Sequence, residues 1–189
     1  NCWPGLSCGR KEGRGVAATY ERRFKIRLYE CDANGHVNHA NYLRYMQEAA
    51  VAASTAVGYS VERYEAMGHF WLVVQTGISY HRPLRYGDTA AVKTWVSDFR
   101  RATSRRRYEL RIARSGALAA EGYSDWIYLN RTTLRPQRIP PRMIEAFSAG
   151  DPMVAEQRVP FPVFPAPPPG VFRMRRRARW SEIDSAGHV

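Results

Sequence analysis

A single long helix followed by four closely spaced strands leaves this chain few ways to fold. From about His39 to Val57, the residues Tyr42, Tyr45, Met46, Ala49, Ala53 and Ala56 or Val57 recur at helical spacing. The face is rich in alanine, and small residues let a sheet wrap closely around a helix. Asn38 or Asn41 can cap its start and Gly58 ends it. A shorter helical piece, Val61 to Met67, closes at Gly68. Strand-like runs follow at Phe70 to Tyr80, Thr89 to Phe99, Ser104 to Arg114 and Ala117 to Asn130. Turn signals separate them: Pro83 to Asp88, Arg100 to Thr103, and Ser115-Gly116. Connections this short imply an antiparallel meander. Ahead of the helix, Phe24, Ile26 and Leu28 alternate with Arg23, Lys25 and Arg27, as in a half-buried strand from Tyr20 to Tyr29. The order strand, helix, four strands predicts an α+β arrangement in which the helix covers one face of an antiparallel sheet.

That domain occupies residues 20–147, closed by a short helix from Arg142 to Phe147. Residues 1–19 read as a flexible leader rich in Gly, Arg and Ser. Residues 148–171 carry a proline run that disfavours both helix and sheet, and they read as a stiff linker. Residues 172–189 then repeat the start of the domain. Glu182 to Val189 matches Glu30 to Val37 at five of eight positions, at an offset of 152. A recurrence one domain-length apart predicts a tandem, with a second copy beginning near Phe172 and cut at Val189 before its helix. The second copy has Ala186 where the first has Asn34, so the two halves need not be equally active.

The net charge of +12 raises the question of nucleic acid. Only Lys11, Lys25 and Lys93 are lysines, and the other 26 basic residues are arginines, a skew that codon composition explains better than a DNA surface. No zinc finger, helix-turn-helix or aromatic RNA-binding motif accompanies them, which argues against a nucleic-acid binder. No run approaches the roughly 20 apolar residues of a membrane span. Three cysteines, Cys2, Cys8 and Cys31, form no C-x-x-C pair and no disulfide framework, consistent with a reducing cytoplasm.

The densest chemistry lies between Cys31 and Glu48. Asp32 precedes an Asn-Gly turn that feeds the helix. A carboxylate there can serve as nucleophile or general base, and the free N–H groups around His39 to Asn41 can hold a developing oxyanion. Asp32 can equally complete the turn through its own hydrogen bonds. His36, Asn38, His39 and Asn41 crowd the same loop, too sparsely for a metal site, and no metal or cofactor is expected. Glu48 is either an exposed helix residue or a second acid.

The run Asp32-x-x-Gly35-His36-Val37-Asn38-His39-x-Asn41-Tyr42, followed by Glu48, resembles the signature of hotdog-fold thioesterases, in particular the 4-hydroxybenzoyl-CoA thioesterase-like acyl-CoA thioesterases. Ile78-Ser79-Tyr80, Pro83-Leu84, Gly87-Asp88 and Thr133 to Pro136 also fit that pattern. The tandem arrangement resembles double-hotdog enzymes, plant-type acyl-ACP thioesterases among them. The resemblance implies an antiparallel sheet wrapped around a central helix, and hydrolysis of acyl-CoA to free acid and CoA. It makes Asp32 the nucleophile or base and His39 N–H the oxyanion donor, with Asn34 and His36 taking part and Glu48 second to Asp32. Asn38, Asn41 and Tyr42 would contact substrate, and Arg100, Arg101, Arg105, Arg106 and Arg107 could hold CoA phosphates. An acyl-ACP substrate and a non-catalytic acyl-binding module are the alternatives. A hotdog site is expected to need a second unit, supplied by the same chain or by a homodimer.

Overall fold

The computed structural model describes residues 19–148, 156–158, 160 and 162–177. Its elements are β1 (Tyr20–Lys25), α1 (His39–Ala56), α2 (Val61–Ala66), β2 (His69–Tyr80), β3 (Thr89–Phe99), β4 (Thr103–Ile112), β5 (Leu118–Asn130) and α3 (Pro141–Ser148). A short 3-10 turn, Leu28–Glu30, follows β1. The α+β reading holds: five antiparallel strands in the order β1-β3-β4-β5-β2 form one sheet around α1.

Two expectations change. The first strand ends at Lys25, not Tyr29: Ile26 N–H makes the last bond in the β1–β3 register, to Asp88 O at 2.9 Å, and beyond it the Glu30 carboxylate takes Arg27 N–H at 2.7 Å and turns the chain. The alternation through Leu28 therefore has no sheet to serve, and Leu28 and Tyr29 are exposed. The simple meander also fails. Strands β3, β4 and β5 are consecutive neighbours, but β2 pairs with β5 on the far edge. The segment between Tyr80 and Thr89 is thus a crossover spanning roughly 14 Å, three strand spacings, rather than a hairpin turn. Its turn signals are real, since Gly87 has φ +84° and Asp88 N–H returns to Arg85 O at 3.0 Å. They shape a connection that passes beside the start of α1.

The core lies between α1 and the inner sheet face. Tyr42, Tyr45, Met46, Ala49 and Ala50 meet Val92, Tyr108, Leu110, Ala119 and Ala120. Gly122 lets the helix sit close, because a Cβ there would stand 2.6 Å from Gly77 O and 3.2 Å from Met46 Cε. A second cluster joins Tyr59, Tyr64, Val96, Tyr128, Met143 and Phe147 beneath α2 and α3.

The outer face carries a charged layer. Arg105 clasps Asp125 through two hydrogen bonds of 2.8 and 2.7 Å. Arg158 pairs with the fully buried Asp98, which also accepts Glu156 N–H at 3.0 Å, and Arg107 pairs with Glu156. These bonds fasten residues 156–158 to the sheet, inside the stretch expected to be linker. Residues 160–189 form a separate unit, and its described residues, 160 and 162–177, carry no helix or strand. The leader at 1–18 and the repeat at 182–189 lie outside the described residues.

The two sheet edges differ. β1 reads Tyr-Glu-Arg-Arg-Phe-Lys, with charges that discourage strand addition. β2 is 12 residues long, contains no Asp, Glu, Lys or Arg, and leaves Val74 63% exposed beside a bulge. That is the unprotected edge.

Candidate active site

The motif loop is a closed hairpin. Cys31 and Val37 form an antiparallel bridge, and Asp32 N–H donates to His36 O at 2.7 Å. Gly35, at φ +71°, makes the turn possible. Asp32 Oδ1 accepts the N–H groups of Asn34 at 2.9 Å and His36 at 3.1 Å. One carboxylate oxygen therefore completes the turn, while Oδ2 has no partner among the described residues. The side chains of Asn34 and His36 make no hydrogen bond among the described residues.

The crossover fixes the loop from the other side. His36 bridges to Arg85, and Val37 N–H donates to Leu84 O at 2.8 Å. Leu84 N–H donates to Tyr42 Oη at 3.0 Å, and burial pushes the Tyr42 phenol up from its ordinary range. Asn38 caps α1 through Oδ1, which accepts Ala40 N–H at 3.0 Å. Asn41 is buried and donates from Nδ2 to Glu30 O at 2.9 Å, tying the helix to the 3-10 turn. Asn41 and Tyr42 thus hold the loop in place through main-chain partners. His39 is the first helical residue, and its N–H has no acceptor among the described residues. Its ring meets Tyr80 edge-on at 4.5 Å.

The remaining candidates lie apart from this cluster. The Glu48 carboxylate is exposed and pairs with Arg22 at 3.2 Å. It stands ten residues beyond Asn38, about 15 Å along the axis. Arg105 is engaged by Asp125, and Arg106 is buried with its guanidinium 3.3 Å from Thr94 Oγ1. Arg100 and Arg101 are exposed at the β3–β4 turn. That turn is a full β3 length, about 33 Å, from the crossover that holds the motif loop. Among the described residues no group of three or more His, Cys, Asp or Glu side chains could hold a metal, and no helix is long and apolar enough to cross a membrane.

The sequence reading missed the space beside α1. A cavity of about 190 Å³ opens between Leu43 and Gln47 on α1, Val73 and Thr76 on β2, and Ser124 and Trp126 on β5. Leu43 and Gln47 follow His39 at i+4 and i+8, so one stripe runs from the free N–H into the cavity. Helical spacing alone carried that signal. Tyr80, on β2, borders the same end of the helix, so groove and free N–H share one side of the domain.

An antiparallel sheet wrapped on a single central helix, with a motif hairpin at the helix start and a cavity along its flank, defines a hotdog-fold protein of the thioesterase class. Residues 17–147 match the acyl-ACP thioesterase N-terminal domain, and the chain belongs to that family. Among its relatives, a putative acyl-CoA thioesterase, YneP of Bacillus subtilis, is 31% identical over 116 residues, covering 61% of this chain and 83% of the relative. The chloroplastic palmitoyl-acyl carrier protein thioesterase of Arabidopsis thaliana is 24% identical over 180 residues, 90% of this chain but 44% of its own length. The chain therefore spans less than half of that plant relative. The crystal structure of a putative oleoyl thioesterase from Lactobacillus plantarum superposes with a TM-score of 0.82 at 24% identity, covering 94% of this chain and 68% of the other.

Proposed function

We propose that this domain hydrolyses acyl thioesters, with acyl-CoA as the leading substrate. The observation that carries the reading is the stripe on α1: a free N–H at His39, then two residues on the same face that line a cavity. The thioester carbonyl oxygen accepts from His39 N–H, and the acyl chain runs along the helix toward Gln47. The free Oδ2 of Asp32 either attacks the carbonyl carbon, giving a mixed anhydride that water then opens, or removes a proton from the attacking water. In both routes the C–S bond breaks and the departing thiolate takes up a proton. Asn34 and His36 stand in the same hairpin to orient water or the thioester, and Glu48 is the second-choice acid.

The match to a putative acyl-CoA thioesterase supports CoA over a carrier protein, and the longer alignment to a plant acyl carrier protein enzyme keeps that alternative in the test. Val73 and Thr76 of the edge strand β2 wall the groove, and the lack of charge along that edge supports pairing with a second unit. That unit is either a second copy of this chain or a second domain beginning near Phe172, as the repeat at Glu182 to Val189 suggests. Arg100 and Arg101 can reach CoA phosphates only if pairing brings a neighbour's turn to the site. Thiol release from a panel of acyl-CoA and acyl carrier protein thioesters tests the reading. Turnover on CoA esters supports it, and release no faster than the uncatalysed rate on every ester overturns it.

A further inference from the structure

The donor on which the hydrolase reading rests sits where a helix is least stable. The first turn of α1 leaves its N–H groups without helical acceptors, and helix ends open more readily than helix middles. From the hairpin side the turn is held by the Asn38 cap and by Asn41 Nδ2, which donates to Glu30 O at 2.9 Å. From the sheet side it is held by Tyr80, the last residue of β2. The Tyr80 ring meets the His39 imidazole edge-on, with centroids 4.5 Å apart, and the Tyr42 ring edge-on at 5.1 Å. The Tyr80 hydroxyl donates to His39 O at 3.4 Å, a long and therefore weak bond, so the ring contacts carry most of the grip. His39 and Tyr42 are three residues apart, so one ring spans the first turn.

The main chain of Tyr80 is firmly seated. Tyr80 pairs with the fully buried Ala120 of β5. The next two N–H groups, those of His81 and Arg82, donate to Ala119 O at 2.8 and 3.0 Å. Its side chain is nevertheless 41% exposed and lies outside the buried core, so filling the core is not its task. Partial burial raises the phenol, so the hydroxyl keeps its proton at neutral pH and stays a donor. The contacts converge on one residue. His39 carries the N–H that is proposed to donate to the thioester oxygen. In the helical ladder its carbonyl accepts Leu43 N–H, and Leu43 lines the cavity. A tilt of this turn carries the donor off the line to a developing oxyanion, and a misplacement of about 1 Å can cost ~100-fold in rate.

We propose that Tyr80 is a positioning residue: it braces the first turn of α1 against the sheet edge and so fixes the aim of His39 N–H, without itself touching the reacting atoms. The inference rests on the hydrolase reading for its effect on turnover, but not for the bracing. Two variants of the purified chain test it: Tyr80→Phe keeps the ring and Tyr80→Leu removes it. On an acyl-CoA that the wild-type chain turns over, Tyr80→Leu should lower kcat about 10-fold with KM within about 3-fold. Tyr80→Phe should keep kcat within about 3-fold of wild type. Unchanged kcat in Tyr80→Leu, or a change confined to KM, overturns the proposal.

A second measurement needs no turnover. Exchange of the Leu43 amide hydrogen, followed by NMR, should quicken at least ~5-fold in Tyr80→Leu and far less in Tyr80→Phe. The amides of Ala49 and Ala53, in the middle of α1, should keep their wild-type rates. Unchanged exchange at Leu43 in Tyr80→Leu overturns the bracing. Equal quickening at Leu43, Ala49 and Ala53 also overturns it, because the whole helix is then loosened. If the wild-type chain hydrolyses no ester, the hydrolase reading falls, while faster exchange confined to Leu43 still supports the bracing.

Discussion

Asp32 forms the turn and, in the function we propose, also does the chemistry, and a pair of substitutions at this one position tells the two apart. Oδ1 holds the hairpin through Asn34 N–H and His36 N–H, and Oδ2, without a partner among the described residues, is the proposed catalytic atom. Asn keeps an acceptor oxygen at Oδ1 but has lost the carboxylate. Ala loses both. Each hairpin bond contributes about 0.5–1.5 kcal/mol, toward the low end here because the loop N–H groups are exposed and can return to water. Asp32→Ala should therefore cost about 1–2 kcal/mol, which for a domain of this size lowers Tm by about 4–8 °C. Asp32→Asn should shift Tm by less than about 2 °C. Hydrolysis should fall roughly 100-fold or more in both, with KM far less affected in the Asn variant. The assays are a thermal melt and thiol release on the same preparations. Near wild-type turnover in Asp32→Asn would refute the catalytic assignment, reduce Asp32 to a turn former and move attention to Glu48. Unchanged Tm in Asp32→Ala would refute the structural half.

Three further outcomes are expected. Asp125→Ala should destabilise by about 3 kcal/mol in urea titration, because it strands Arg105, 4% exposed, with only Glu156 at 3.6 Å, and the double variant Arg105→Met with Asp125→Leu should recover most of the loss. Gly122→Ala should cost about 1–3 kcal/mol by the same titration, since the new methyl meets Gly77 O at 2.6 Å and backbone cannot yield cheaply. Burial pushes Tyr128 up to about 12 and raises Tyr42, Tyr64 and Tyr108. The unfolded chain releases these protons near pH 10 and the folded chain does not, so stability should be intact below pH 10 and fall between pH 10 and 12. Denaturation midpoints against pH check this, and Tyr128→Phe should flatten the slope.

The parts legible in the sequence were those fixed by local pattern. β3 was expected at Thr89 to Phe99 and lies there, because its alternation is bounded by turn residues on both sides. The Ala-faced helix was equally plain, and of the two candidate caps, Asn38 and Asn41, the structure uses Asn38. The failures share one cause, partners distant in the chain. Leu28 continues an alternation, yet the strand ends earlier because the start of α1 holds the 3-10 turn, Asn38 N–H and Asn41 Nδ2 both donating to Glu30 O. The β2–β3 connection looks like a hairpin turn because its turn chemistry is genuine. Only the pairing of β2 with β5 reveals it as a crossover. Arg105 and Arg106 looked like one exposed cluster with their neighbours. Strand alternation sends them to opposite sheet faces, toward Asp125 and Thr94. The motif hairpin was legible as a group, but not the cavity. Tyr108, Ser124 and Trp126 come from two strands, and nothing local marks them as lining one space.

The small residues that make the fold possible also set the scale of the site. Ala49, fully buried, with Ala50 and Ala53 on α1 and Gly122 on β5, allows the helix to lie close to the sheet. Close approach leaves little room where larger residues resume, so the gap at Leu43, Met46 and Gln47 is a cavity of about 190 Å³ and not a tunnel along the helix. Its walls then come from α1, β2, β4 and β5 together. A helix held farther off by leucines would leave a deeper channel. The Ala-rich stripe first read as a folding requirement thus also sets the size of the cavity, through the distance at which helix and sheet pack.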